Sequence, residues 1–333
     1  MNDWNTLSWE QVSQDATAGH HTHPARDAER SQRILDHERS QLAGKAQAPI
    51  GVFDSGAGGL TILSALRQEL PGETYLYFGD TAHCPYGMRS DAEITELSIR
   101  ANRFLIEQGA KLIVVACNTA SQAALNTLRA TFSVPFVGVV PAVKPAARAT
   151  RKGRIGIAAT NQAARALYLR QLIDEFAEGT SVYAIGCPEL VTLVEQGELD
   201  GSHTEQIVRE AFQPLLTEDV DVIVLGCTHF PALRPVIERI TSNQVQIIDS
   251  GSAVARRTRS VLEAEGLISP AGSGCSIQAE FPTINRGTTV ETVSGGQVTR
   301  LQVWCSGDPV AFSKVASRIL GYPIVARQSP FKP

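Results

Sequence analysis

Several features are missing from this sequence of 333 residues, and each absence closes off a class of function. No apolar run approaches the length of a membrane span, and residues 1–10 lack the basic and apolar regions of a signal peptide. The expectation is a cytoplasmic protein with no membrane partner. An excess of positive charge is also missing: the formal net charge is −4, with 30 Lys and Arg against 34 Asp and Glu. Nucleic acid is therefore not expected as a partner, and an anionic substrate would need local donors rather than a basic field. The six cysteines form no C-x-x-C and no zinc-ligand spacing, so free and individually reactive thiols are expected. His20, His21 and His23 have no acidic or cysteine partners nearby and read as solvated, so no metal is expected.

What remains is an ordinary globular composition, 43% hydrophobic and 19% charged, with length enough for two modest domains. Residues 1–48 are polar and read as a flexible N-terminal extension. From Pro49 onward, short apolar runs at 50–53, 75–78, 112–116, 136–139, 155–158, 181–185, 220–225 and 245–248 alternate with helix-length amphipathic segments. This predicts an α/β fold of βαβ units with mostly parallel, doubly wound sheets, and runs too apolar on both faces for edge strands of a sandwich. The segment 269–300 turns to Gly, Ser, Thr and Pro and reads as a loop or hairpin insertion; a strand and an amphipathic helix follow it up to Gly321.

The chain also repeats itself weakly. I-G-V-F-D-S at 50–55 resembles I-G-I-A-A-T at 155–160, and a strand ending in cysteine follows 63 residues after Asp54 and 67 after Thr160. The two cysteine stretches, V-V-A-C-N-T-A-S at 114–121 and V-L-G-C-T-H-F-P at 224–231, each set a thiol between an apolar run and polar residues. Ligands of open α/β sheets bind outside the carboxyl ends of the strands, where Cys117 and Cys227 both fall. A helix start after each would raise the thiolate fraction, suiting a base or nucleophile. His229 can exchange a proton with Cys227, and Asp54 with Cys117; Glu195 is a further proton-network candidate. The glycine loop at 54–59 can offer N–H groups to a carboxylate or phosphate, but Thr61 stands where a dinucleotide fingerprint needs glycine. The loop 79–87 lies on the same rim.

Together these residues resemble the glutamate racemase family, part of the aspartate/glutamate racemase superfamily. D-S-G-A-G-G-L at 54–60, G-D-T-A-x-C-P-Y-G at 79–87, A-C-N-T-A at 116–120, P-A-V-K-P-A at 141–146, C-P-x-L-V-x-L-V-E at 187–195 and G-C-T-H-F-P at 226–231 occur in that family's order. The resemblance implies two similar domains related by a pseudo-two-fold axis, with the active site between them. Residues 49–140 and 249–328 would form the first and 141–248 the second. It further implies cofactor-free interconversion of L- and D-glutamate, supplying D-glutamate for peptidoglycan. Cys117 would act on D-glutamate with Asp54, and Cys227 on L-glutamate with His229 and Glu195. Asp54, Ser55, Pro85, Tyr86, Gly87, Asn118, Thr119, Thr160, Thr228 and His229 match positions around the substrate. One position departs: Ala163 stands where the family commonly has a second threonine. Longer members respond to a cell-wall precursor, which would give residues 1–48 a regulatory use, and a homodimer is the assembly considered. The alternatives left open are an aspartate racemase, a dicarboxylate decarboxylase or cis–trans isomerase, and a non-catalytic two-domain protein that closes on an amino acid.

Overall fold

The computed structural model describes residues 44–242, 244–269, 290–294 and 297–330. All eight apolar runs form strands: β1 Ile50–Asp54, β2 Tyr75–Gly79, β3 Leu112–Val115, β4 Phe136–Gly138, β5 Arg154–Ala159, β6 Ser181–Gly186, β7 Val222–Leu225 and β8 Gln246–Ile248. A hairpin of β9 Val290–Ser294 and β10 Gln297–Cys305, then the short β11 Ala326–Gln328, complete the set. The hairpin accounts for the end of the expected insertion; residues 270–289, 295 and 296 lie outside the described residues, as do 1–43 with His20, His21 and His23.

Two sheets result. The first runs β11-β10-β2-β1-β3-β4, with β9 paired to β10, and the second runs β6-β5-β7-β8. Apart from the β9–β10 pairing every ladder is parallel. Four consecutive strands of the first sheet, β2-β1-β3-β4, have the same order and direction as β6-β5-β7-β8, so the sequence repeat is a structural one. It makes β1 equivalent to β5, and β3 to β7.

Alternation along each strand feeds two cores, one per face. In β3, Leu112 and Val114 join one apolar cluster while Ile113 and Val115 join the other. In β7, Val222 and Val224 pack on one face, Ile223 and Leu225 on the opposite one. Burial on both faces is why these strands read as unbroken apolar runs. β6 is different. It is the edge of the second sheet, and several of its residues are exposed or half-buried.

Local signals explain where helices begin. Ser90 and Glu93 make a reciprocal capping box at the start of Asp91–Glu107. Asp308 accepts from the Val310 N–H, Pro309 occupies the first turn, and Gly321 ends Pro309–Leu320 with φ of 77°. The chain passes to the second sheet after β4 and returns after β8 with helix Gly251–Ala264, which packs on the first. The two crossings lie side by side: Ser250 Oγ donates to the Val140 carbonyl at 2.7 Å.

Packing against the globular part reaches residues before Pro49, where composition places its start. Ala46 is buried, and its carbonyl accepts from Lys111 Nζ, which also pairs with Glu73 Oε2 at 2.5 Å. A buried ammonium needs every partner within reach, and residue 46 supplies one.

Candidate active site

The carboxyl ends of β1, β3, β5 and β7 converge on one narrow cleft. Cys117 follows β3 and caps helix Asn118–Thr131; its Sγ accepts from the Ala120 N–H at 3.5 Å and lies 3.5 Å from Ser55 Oγ. Cys227 follows β7, with its Sγ 3.6 Å from His229 Nδ1. Both thiols line the cleft together with Ser55, Pro85, Tyr86, Gly87, Asn118, Thr119, Thr160, Thr228 and His229. Val191 lines it too, a residue that the sequence reading missed. The open space among them is about 10 Å³, roughly the room for one water.

Two expected residues sit behind the cleft instead. Asp54, at the end of β1, is fully buried; Oδ1 accepts from the Gly56 N–H at 2.9 Å and Oδ2 accepts from Thr228 Oγ1 at 3.1 Å. It bridges the two sheets, and the hydrogen-bond partners of Cys117 are Ser55 and Ala120 instead. Glu195 ends helix Pro188–Glu195, where its Oε1 accepts from His229 Nε2 at 2.6 Å and from the Ala57 N–H at 2.7 Å. The glycine loop therefore takes an anion, as its sequence suggests, but that anion is the protein's own carboxylate. Thr61 Oγ1 adds a bond to the Thr228 carbonyl at 2.9 Å.

Close approach explains the glycines. A Cβ on Gly58 would lie 2.5 Å from His229 Nδ1, and one on Gly56 would lie 2.1 Å from Glu195 Oε1. Gly87 abuts Thr160, whose hydroxyl is 3.2 Å from that of Thr119 and accepts from the Ala163 N–H. Ala163 is buried, so the departure from the family pattern removes a hydroxyl from the interior.

Burial dominates the electrostatics. It pushes the Cys117 thiol up to about 12, with the Asp54 charge adding to the rise. The helix N-terminus does not yield a thiolate here, because desolvation outweighs it. Burial likewise raises the Asp54 carboxyl, against the pull of His229. At His229 burial favours the neutral ring, but hydrogen bonds to Cys227, Cys84 and Glu195 outweigh it and hold the imidazole well above its ordinary value. At Glu195 the same His229 contact, helped by Ala57, overcomes burial and keeps the carboxyl below its ordinary range. Cys84, on the loop before Pro85, completes this group and was not singled out from the sequence.

Residues 58–258, which include both cysteines, match the Asp/Glu/Hydantoin racemase family. The chain belongs to that family. It is similar to the glutamate racemase of Roseiflexus sp. strain RS-1, 45% identical over 228 residues that cover 68% of this chain and 84% of that one. It is also similar to the glutamate racemase of Deinococcus radiodurans, 46% identical over 231 residues, covering 69% and 80%. Among solved structures, a glutamate racemase from Bacillus anthracis superposes with a TM-score of 0.70 at 31% identity, covering 85% of this chain and 98% of that one. The Escherichia coli glutamate racemase, solved with L-glutamate and the activator UDP-MurNAc-Ala, gives 0.68 at 31% identity, covering 84% and 97%. The racemase fold is thus shared over both sheets, and the protein is an isomerase acting on amino acids. Among its described residues no helix is long and apolar enough to cross a membrane.

Proposed function

We propose that this racemase interconverts L- and D-glutamate by proton exchange at Cα between two thiols, without a cofactor, and that the D-glutamate serves peptidoglycan synthesis. One observation carries the reading: Cys117 and Cys227 end equivalent strands of repeated sheets and line one cleft. Inverting a stereocentre by proton transfer needs a base on one face and an acid on the other. In the L-to-D direction, His229 takes the Cys227 proton, the Cys227 thiolate removes the α-proton, and the Cys117 thiol delivers its proton to the opposite face. The reverse direction exchanges the roles of the two thiols.

The α-hydrogen is weakly acidic, so the carbanion must be stabilised by donors already in place. Ser55, Asn118, Thr119, Thr160 and Thr228 supply polar groups around the cleft. Asn118 Oδ1 is buried with no partner, which suits the substrate ammonium. Protonated Cys117 is the state that burial favours, and it is the state an acid must have. Domains bounded at 49–140 with 249–328, and at 141–248, would close on the substrate and exclude water.

The decisive experiment is circular dichroism of L- and D-glutamate with Cys117→Ser and Cys227→Ser. Each variant is expected to lose racemisation in both directions; near wild-type rates in both would overturn the two-thiol mechanism. A binding protein would show no α-deuterium uptake in deuterated water, and activity confined to aspartate would replace the substrate, since one methylene is worth only about 1–3 kcal/mol. By analogy with the activator named for the Escherichia coli relative, a cell-wall precursor regulates this chain through its N-terminal extension, residues 1–48. The same assay with and without UDP-MurNAc-Ala, on the full chain and on one lacking the extension, reads that effect.

A further inference from the structure

Cys84, Glu195 and His229 form a cluster that proton transfer does not fully use. The Cys84 sulfur, a Glu195 carboxylate oxygen and a ring nitrogen of His229 all lie within 4.8 Å of one another. They come from three separate places: the loop after β2, the end of helix Pro188–Glu195 and the turn after β7. Cys84 and Glu195 are half-buried and His229 is buried.

We propose that this triad is an inhibitory site for a soft divalent cation, zinc above all. One thiolate, one carboxylate and one neutral imidazole balance the charge of Zn²⁺, so the bound ion brings no net charge into the interior. The donor set of sulfur, nitrogen and oxygen selects Zn²⁺, Co²⁺ or Cd²⁺ over Mg²⁺ and Ca²⁺, and three protein ligands leave a fourth position for water. Outer contacts already orient the donors. Ala57 N–H holds Glu195 Oε1 at 2.7 Å, and Cys227 Sγ lies by the opposite ring nitrogen, Nδ1. Gly56 leaves the space between them: a Cβ there would lie 2.9 Å from Cys84 Sγ as well as against Glu195. The 2.6 Å separation of Nε2 and Oε1 must widen to admit the metal.

Binding displaces the Cys84 thiol proton to solvent, and the neutral ring's one hydrogen moves from Nε2, now facing the metal, to Nδ1, so one proton is released. With Nδ1 protonated and Nε2 occupied, the ring cannot accept the Cys227 proton. Inhibition, unlike metal binding itself, rests on the proposed role of His229.

The test uses the full-length enzyme with Co²⁺ as a spectroscopic probe and Zn²⁺ as inhibitor. Wild type is expected to show a sulfur-to-cobalt charge-transfer band that Cys84→Ser, a near-isosteric change, loses. Zinc inhibition of Cys84→Ser, measured against that variant's own uninhibited rate, is expected to weaken by about 10–100-fold or more, since even an outer-shell partner costs that much. No band in wild type, or an equal band and equal zinc sensitivity in Cys84→Ser, would overturn the site. A band lost with Cys84 while zinc leaves racemisation untouched would support the metal site and refute the relay through His229.

Discussion

At the scale of the residue, His229 is the group whose charge the structure most clearly sets. Its folded pKa is raised above the ordinary 6.5. The stability this gives is therefore complete below pH 6.5 and declines as pH rises through the folded value. From pH 6.5 upward the loss is at most about 1.4 kcal/mol per pH unit for one proton. Thermal melts across that window should show the wild type losing stability as pH rises and His229→Asn holding a flatter profile. The same variant should lower kcat/KM by about 10²–10⁴. Because the two enantiomers are equal in free energy, the loss must be the same for L- and D-glutamate, which circular dichroism from both sides can check. Cysteine, histidine and the polar neighbours of both thiols were legible in the sequence because each lies within a few residues of a strand end. The link from Glu195 to Ala57, 138 positions away, was not, because no periodicity encodes a contact at that distance. The raised Cys117 pKa escaped for the same reason: helix starts are local, whereas desolvation is a property of the whole packed interior.

At the scale of the element, the glycine loop after β1 works by omission of side chains. Gly58 lets the loop touch both the ring and the backbone nitrogen of His229, where a Cβ would lie at 2.5 and 2.7 Å. Gly58→Ala should cost about 1–3 kcal/mol of stability by overpacking, seen in urea unfolding. It should also lower kcat/KM by about 100-fold, since displacement of a reacting group by about 1 Å carries that penalty. The strands were readable because two buried faces force continuous apolar runs. β11 escaped because A-R-Q at Ala326–Gln328 holds a single apolar residue, and the tie of Ala46 to Lys111 escaped because an accepting backbone carbonyl leaves no trace in the side-chain pattern.

At the scale of the whole molecule, the cleft is nearly shut. A space of about 10 Å³ is too small for glutamate, so the proposed reaction predicts that the two sheets part to admit it. Clasps across the rim must break for that: Thr119 with Thr160 at 3.2 Å, and Gln162 Nε2 donating to Asp91 Oδ1 at 2.5 Å. Gln162→Ala removes one neutral-to-charged hydrogen bond outside the reacting groups. It should raise KM by about 2–10-fold, corresponding to about 0.5–1.5 kcal/mol, while leaving the unfolding midpoint near that of wild type. A steady-state titration of both enantiomers and a melt of the same sample test the pair of outcomes.

The adjacent crossings between the sheets, tied by Ser250 and Val140, have a consequence for how the chain can be cut. The second sheet with its helices is a continuous insert whose two ends meet at one point. Joining residue 139 to residue 250 through a short linker would excise the insert and leave the strand order of the first sheet intact. Linking the insert's own ends to each other would make it a closed ring. The polypeptide thus crosses between the sheets at a single junction, and a cut or fusion there would interrupt neither set of ladders, though it would leave the bonds of Asp54 and Ala57 to Thr228 and Glu195 to be made across the new break.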